Sequence, residues 1–145
     1  MGAGIQRTLL NEKIYATFDG GERMKNLPGL CLELLAEQKK AWLDLRKGCD
    51  SLRDVRERDV SCGEFSVRLQ YNPGRIKSSL AAVDGKGANE RRCFLCLDHL
   101  PGDQKGLLYR GKYLILCNPM PIFSSHFTVS HVEHRRQSIT EHIGT

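Results

Sequence analysis

Three short apolar runs separated by turn residues limit this chain more than any other feature. Leu107–Arg110, Tyr113–Asn118 and Phe127–Ser130 each have the length and composition of a strand. They are joined by Gly111-Lys112 and by the Pro-rich segment Pro119–Ser125. That order predicts a three-stranded antiparallel meander. Polar and metal-binding residue types crowd its two ends: Cys93 and Cys96 stand before it, and Asn118, His126, His131 and His134 stand within or just after it.

Upstream, apolar residues recur at three-to-four spacing from Pro28 to about Arg58, through Leu30, Leu34, Leu35, Gln38, Ala41, Trp42, Leu45, Cys49 and Leu52. The pattern predicts an amphipathic helix, with an interruption at Gly48 and with Trp42 in the core. The sign-alternating run Arg53–Asp59 reads as a solvated helix face. Phe65, Val67, Leu69 and Tyr71 alternate with Ser66, Arg68 and Gln70, which predicts a half-buried strand. Residues 1–27 have no strong period and read as an arm packed against the domain, while residues 84–92 read as a glycine-rich linker. The fold class expected is α+β, a mainly antiparallel sheet preceded by a long helix. Residues 1–62 form the arm and helical segment, and 63–145 the sheet-bearing domain.

Two groups carry candidate chemistry. Cys93-x-x-Cys96 is half a zinc site, because two intervening residues let both thiolates reach one ion. His99, His126, His131 and His134 are candidates to complete it. His131 and His134 are spaced to chelate together. The interval from Cys96 to His131 is far longer than the ~12 residues of a DNA-reading finger, so the metal would be a structural staple. The second group follows the turn Asn72-Pro73-Gly74. Arg75, Lys77, Ser78 and Ser79 offer two cations and two hydroxyls just beyond a strand end, which suits a phosphate and equally suits a basic surface turn. Asn118, ending a strand, can cap the following turn or hold a sugar hydroxyl.

The composition is that of a soluble globular protein, with 40% hydrophobic and 27% charged residues. A net charge of +5 without dense Lys/Arg clusters suits an anionic ligand, and a nucleic acid is not an expected partner. The start of the chain lacks the charged and apolar regions of a signal peptide, and no apolar run reaches the ~20 residues of a membrane span. Six cysteines then read as cytoplasmic thiols or metal ligands. Cys31 and Cys49 read as buried small hydrophobes, and Cys62 as a turn residue without a role.

The ordered series resembles a known family. Cys93-Phe-Leu-Cys96, two strands, Asn118-Pro-x-Pro121, His126-Phe-Thr-Val129 and His134 are similar to the first half of a histidine-triad (HIT) domain. The branch it resembles includes galactose-1-phosphate uridylyltransferases and GDP-hexose phosphorylases. More narrowly it looks like a bacterial DUF4922-type family. Tyr71-Asn-Pro-Gly-Arg75 resembles that branch's upstream Asn-Pro element. The resemblance implies zinc held by Cys93, Cys96 and His134, with a fourth histidine further on. It also implies a ribose contact at Asn118, a phosphate contact at Arg75, and a nucleotide or sugar nucleotide as ligand.

The same resemblance implies attack by a triad histidine on the α-phosphorus, giving a nucleotidyl-histidine. None of the 5 histidines here forms even one His-x-His, so this stretch is expected to hold part of a nucleotide site without turning over. Ser138-Ile-Thr-Glu141 fits a capping box that announces a helix four residues from the last residue. The meander also has an edge without cover. Both point to the first part of a longer protein, or to a domain that pairs with another chain. The rival expectation is a zinc-stapled binding module, closed by Cys93, Cys96, His131 and His134, with the Arg75–Ser79 turn as its contact surface.

Overall fold

The computed structural model describes residues 12–19, 26–75 and 92–135. Within them the elements run β1 (Ile14–Phe18), α1 (Leu27–Ala41), α2 (Leu43–Asp50), β2 (Arg56–Cys62), β3 (Phe65–Tyr71), β4 (Gly106–Tyr109), β5 (Tyr113–Cys117) and β6 (Phe127–His131). The fold is α+β, with the helices preceding most of the sheet. A four-stranded sheet has the order β1-β4-β5-β6, and β2 and β3 form a separate two-stranded ribbon.

The meander forms as its sequence predicts. β4, β5 and β6 are antiparallel neighbours in continuous register, from Leu107↔Ile115 to Ile115↔Val129. Arg110 and Gly111 turn the first hairpin with φ of 50 and 63°, and the Lys112 N–H donates to the Tyr109 carbonyl at 3.1 Å. Positive φ at both central residues is the type I′ turn, whose twist matches that of the strands it joins. β1 was not foreseen as a strand. It pairs parallel with β4, matching Ala16 to Leu107 and Phe18 to Tyr109, and covers that edge of the meander, while β6 stands at the other edge with no neighbouring strand among the described residues. The sheet is therefore mixed.

Alternation along β5 sorts the core into two halves. Leu107, Ile115 and Cys117 meet Leu34, Leu35, Trp42 and Leu45 of the helices. Leu114 and Leu116 meet Leu100, with Leu95, Leu97 and Val132 packed around them. The sheet is thus a middle layer between the helix pair and the loop that carries Cys93 and Cys96. Elements on either side of residue 62 share the first of these clusters.

The helix breaks at Trp42, not at Gly48. Trp42 is extended (φ −111, ψ 107) between α1 and α2, which lets it turn inward and be buried. Gly48 lies inside α2 for a different reason. A Cβ there would come within 2.0 Å of the Pro119 carbonyl oxygen, so α2 approaches the β5–β6 connection as closely as a backbone can.

The charged run also departs from expectation. Residues 51–54 make one 3-10 turn, and Arg56–Cys62 is a strand, not a helix face. Strict alternation of sign has period two, so Glu57 and Asp59 fall on one face and Arg56 and Arg58 on the other. Its partner β3 is exposed along all seven residues, where a half-buried strand was predicted. No helix among the described residues is long and apolar enough to cross a membrane.

Candidate functional site

The Cys93–His99 segment folds back on itself in two steps. The Cys96 N–H donates to the Cys93 carbonyl at 3.2 Å, and the His99 N–H donates to the Cys96 carbonyl at 2.9 Å. Leu95 and Leu97 anchor this turn against the cluster of Leu114 and Leu116 of the sheet, and both thiols are half-buried. From the other direction, β6 ends at His131, and the Val132 N–H donates to the Lys112 carbonyl at 2.9 Å. That bond directs the chain so that His134 reaches the turn. The ligand atoms of Cys93, Cys96 and His134 all lie within 4.8 Å of one another, with Cys96 Sγ 3.3 Å from His134 Nδ1.

Two soft thiols and an imidazole are a donor set suited to zinc. Burial raises the Cys96 thiol above its ordinary value, and the neighbouring Cys93 raises it further. A cation between them reverses that preference, because it stabilises the thiolates that burial and mutual repulsion disfavour. The three residues therefore fit a zinc ion that ties the loop before the sheet to the chain after it. Among the described residues no fourth His, Cys, Asp or Glu joins them.

His131 is not part of this group. Its Nδ1 accepts the Glu133 N–H at 3.0 Å, so the closed site of Cys93, Cys96, His131 and His134 does not form. His126 accepts the Ile122 N–H at 3.2 Å and packs against Phe123, with ring centres 4.8 Å apart. Both are turn-holding histidines.

Beside the metal group lies a cavity of about 370 Å³. Arg75 and Asn118, singled out in sequence for a phosphate and a ribose, both line it. Phe94 and Leu95, the two residues between the cysteines, form part of its wall, and Trp42, Gln104, Met120 and Thr128 form others. Arg75 is delivered by the Asn72-Pro-Gly turn. There Asn72 Oδ1 accepts the Gly74 N–H at 2.9 Å, and the Arg75 N–H donates to the Asn72 carbonyl at 3.1 Å.

Asn118 does cap its turn, since its Oδ1 accepts the Met120 N–H at 2.8 Å. Its Nδ2 lies 3.3 Å from Thr128 Oγ1, and an amide nitrogen carries a second hydrogen. The oxygen of this side chain thus holds the turn, and its nitrogen faces Thr128. Lys77, Ser78 and Ser79 lie outside the described residues. Sequence reasoning gave no cavity role to Trp42, Phe94, Gln104 or Thr128.

A family model described as "Domain of unknown function (DUF4922)" matches residues 34–145. The chain belongs to the DUF4922 family. The DUF4922 match begins within α1 and takes in the metal group, Arg75 and Asn118 together. Comparison with curated proteins and with solved structures gives no match to this chain.

Proposed function

We propose that this DUF4922 chain binds the nucleotide portion of a nucleotide or sugar nucleotide in the Arg75–Asn118 cavity. We propose further that it belongs, as its motif order resembles, to the HIT-like nucleotidyltransferase and phosphorylase branch. The observation that carries the reading is convergence. Arg75 and Asn118 come from distant parts of the sequence and from different elements, yet line one cavity. The volume suits a nucleotide-sized ligand. A guanidinium such as that of Arg75 matches phosphate oxygens by its planar fork, and the Asn118 amide nitrogen carries a second N–H that suits a sugar hydroxyl.

Zinc at Cys93, Cys96 and His134 would serve structurally, fixing the turn from which Phe94 and Leu95 form the cavity wall. The role of these residues is binding and orientation. Nucleotidyl transfer is proposed for a protein that supplies the His-x-His-x-His segment, which these 145 residues do not contain.

Isothermal titration of the zinc-supplemented chain with GDP, UDP, ADP and their sugar conjugates tests the reading. At least one is expected to bind. Arg75→Ala and Asn118→Ala are each expected to weaken it by about tenfold, the size of one lost polar contact to a charged or buried group. Binding that ignores both substitutions, or no binding by any of these ligands, overturns the assignment.

A further inference from the structure

Gln104 is only 5% exposed, yet it lines the cavity. A polar side chain taken so far out of water needs partners for both ends of its amide. One end has its partner: Nε2 donates to the Cys117 carbonyl at 3.3 Å. A carbonyl can only accept, so this bond fixes which end of the amide is nitrogen and leaves Oε1 as the other. Among the described residues nothing donates to Oε1, and it is not one of the fully enclosed atoms that lack a partner. It therefore still meets open space, and the cavity is a space that this side chain borders.

The backbone behind it is held firmly. The Gln104 N–H donates to the Pro101 carbonyl at 3.0 Å, and Gln38 binds the residues on either side, Asp103 and Lys105. An acceptor seated in this way is in place before a ligand arrives, so little ordering is left to be done on binding.

We infer that Gln104 reads the nucleobase, its Oε1 accepting an N–H from the edge of the base. The inference rests on the nucleotide reading of the cavity and names what the base of that ligand meets. Phosphate oxygens only accept hydrogen bonds, so an acceptor such as Oε1 repels them, and the base is the part of a nucleotide rich in N–H donors. Gln104 is bonded to Cys117, the neighbour in sequence of Asn118. A base and its ribose are joined by one bond, so a contact to the base belongs close to the proposed contact to the sugar. Trp42, Pro101 and Leu116 line the same cavity, and such carbon-rich walls suit a flat ring that turns its polar edge to one fixed group. A ligand without a donor at that edge leaves Oε1 unmatched and binds more weakly.

Titration of the zinc-supplemented chain with matched nucleotides tests this. ADP is compared with purine riboside 5′-diphosphate, UDP with 3-methyl-UDP, and GDP with both IDP and 1-methyl-GDP; each analogue lacks a base N–H that its parent has. The nucleotide that binds is expected to lose about tenfold or more in affinity in at least one such analogue. In Gln104→Met that difference should shrink to about twofold or less, whereas Arg75→Ala should weaken both members of the pair and leave it in place. Gln104→Asn keeps an amide on a side chain one carbon shorter. It should lose the discrimination too, and serves if Gln104→Met does not fold.

Equal binding of a nucleotide and all its analogues overturns the inference while the assignment of the cavity to Arg75 and Asn118 stands. A difference that persists in both Gln104 variants overturns it as well, since the side chain then only braces the loop. A penalty for the 2′-deoxynucleotide that vanishes in Gln104→Met gives Oε1 to the sugar and ends the base reading. If no nucleotide binds, the nucleotide reading falls and this one falls with it.

Discussion

Gln38 of α1 accepts the backbone N–H of Lys105 through its Oε1 at 2.8 Å, and its Nε2 donates to the Asp103 carbonyl at 3.1 Å. A side chain only 2% exposed thereby holds the loop that leads into β4. The next residue in that loop, Gln104, donates to the Cys117 carbonyl at 3.3 Å and lines the cavity. The helix layer and the cavity wall are therefore joined through two buried amides.

Replacing Gln38 by Leu keeps the volume but leaves the Lys105 N–H and the Asp103 carbonyl without their partner. Loss of about 2–3 kcal/mol of folding stability is expected, most of it the desolvation cost of unsatisfied groups. Urea denaturation with an unchanged slope is the measurement. A change under about 0.5 kcal/mol, the range of ordinary surface substitutions, would show that water replaces the side chain.

Gly48→Ala sets two known effects against each other. Alanine within a helix is favoured over glycine by roughly 0.5–1 kcal/mol. The new Cβ, however, meets the Pro119 carbonyl oxygen at 2.0 Å, and a backbone atom cannot rotate away. Overpacking of that kind costs typically about 1–3 kcal/mol, so net destabilisation is expected. Pro119 adjoins Asn118, so the proposed nucleotide binding should weaken as well. Calorimetric melting and ligand titration of the variant check both, and a more stable Gly48→Ala protein would contradict the close approach.

Cys93→Ser, Cys96→Ser and His134→Ala should each greatly weaken zinc binding, whereas His131→Ala should not. Cobalt substitution, read by its thiolate charge-transfer absorption, separates these cases. Both thiols must lose protons to bind metal, and burial beside Cys93 holds the Cys96 thiol above its ordinary value. Metal affinity should therefore fall as pH is lowered, by about tenfold per pH unit for each thiol that must deprotonate. Affinity that does not vary with pH would mean that the cysteines are not the ligands.

Alkaline pH should unfold the chain through its core thiols. Burial pushes Cys117 up to about 12 from an ordinary 9.0, and burial also raises Cys31 and Cys49. Below pH 9 the thiols are neutral in both folded and unfolded chains and pH has no leverage through them. Between about 9 and 12 the unfolded chain sheds protons that the folded chain keeps, so stability declines as pH rises. Cys117→Val should flatten that decline without changing stability at neutral pH by more than about 1.5 kcal/mol. Chemical denaturation at a series of pH values reads the slope, and an unaltered slope in the variant would assign the effect elsewhere.

The parts of the fold legible in sequence were those with local signatures. β4, β5 and β6 announce themselves by apolar runs and turn residues, and α1 by its stripe, which already included Gln38. Cys93, Cys96 and His134 were legible as a set through the order of motifs. β1 was not, because its partner among the described residues lies about ninety residues away and Ile14–Phe18 carries no turn of its own. The Arg56–Cys62 strand was misread because alternating charge satisfies a solvated helix and a two-faced strand alike. Arg75 and Asn118 were each legible as candidates, but their meeting in one cavity depends on how α2 seats the Pro119 loop, which no local pattern encodes.

The parallel pairing of Ile14–Phe18 with Gly106–Tyr109 also sets an order of events during synthesis. Helices and hairpins can close within a few residues of their emergence, since their partners are neighbours. The first strand has no partner until β4 leaves the ribosome, many seconds later at ~5–20 residues per second. Phe18, which stacks on Tyr109 with ring centres 5.8 Å apart, must wait with it. Among the described elements, Ile14–Phe18 is thus the one whose pairing must wait longest for its partner to be made.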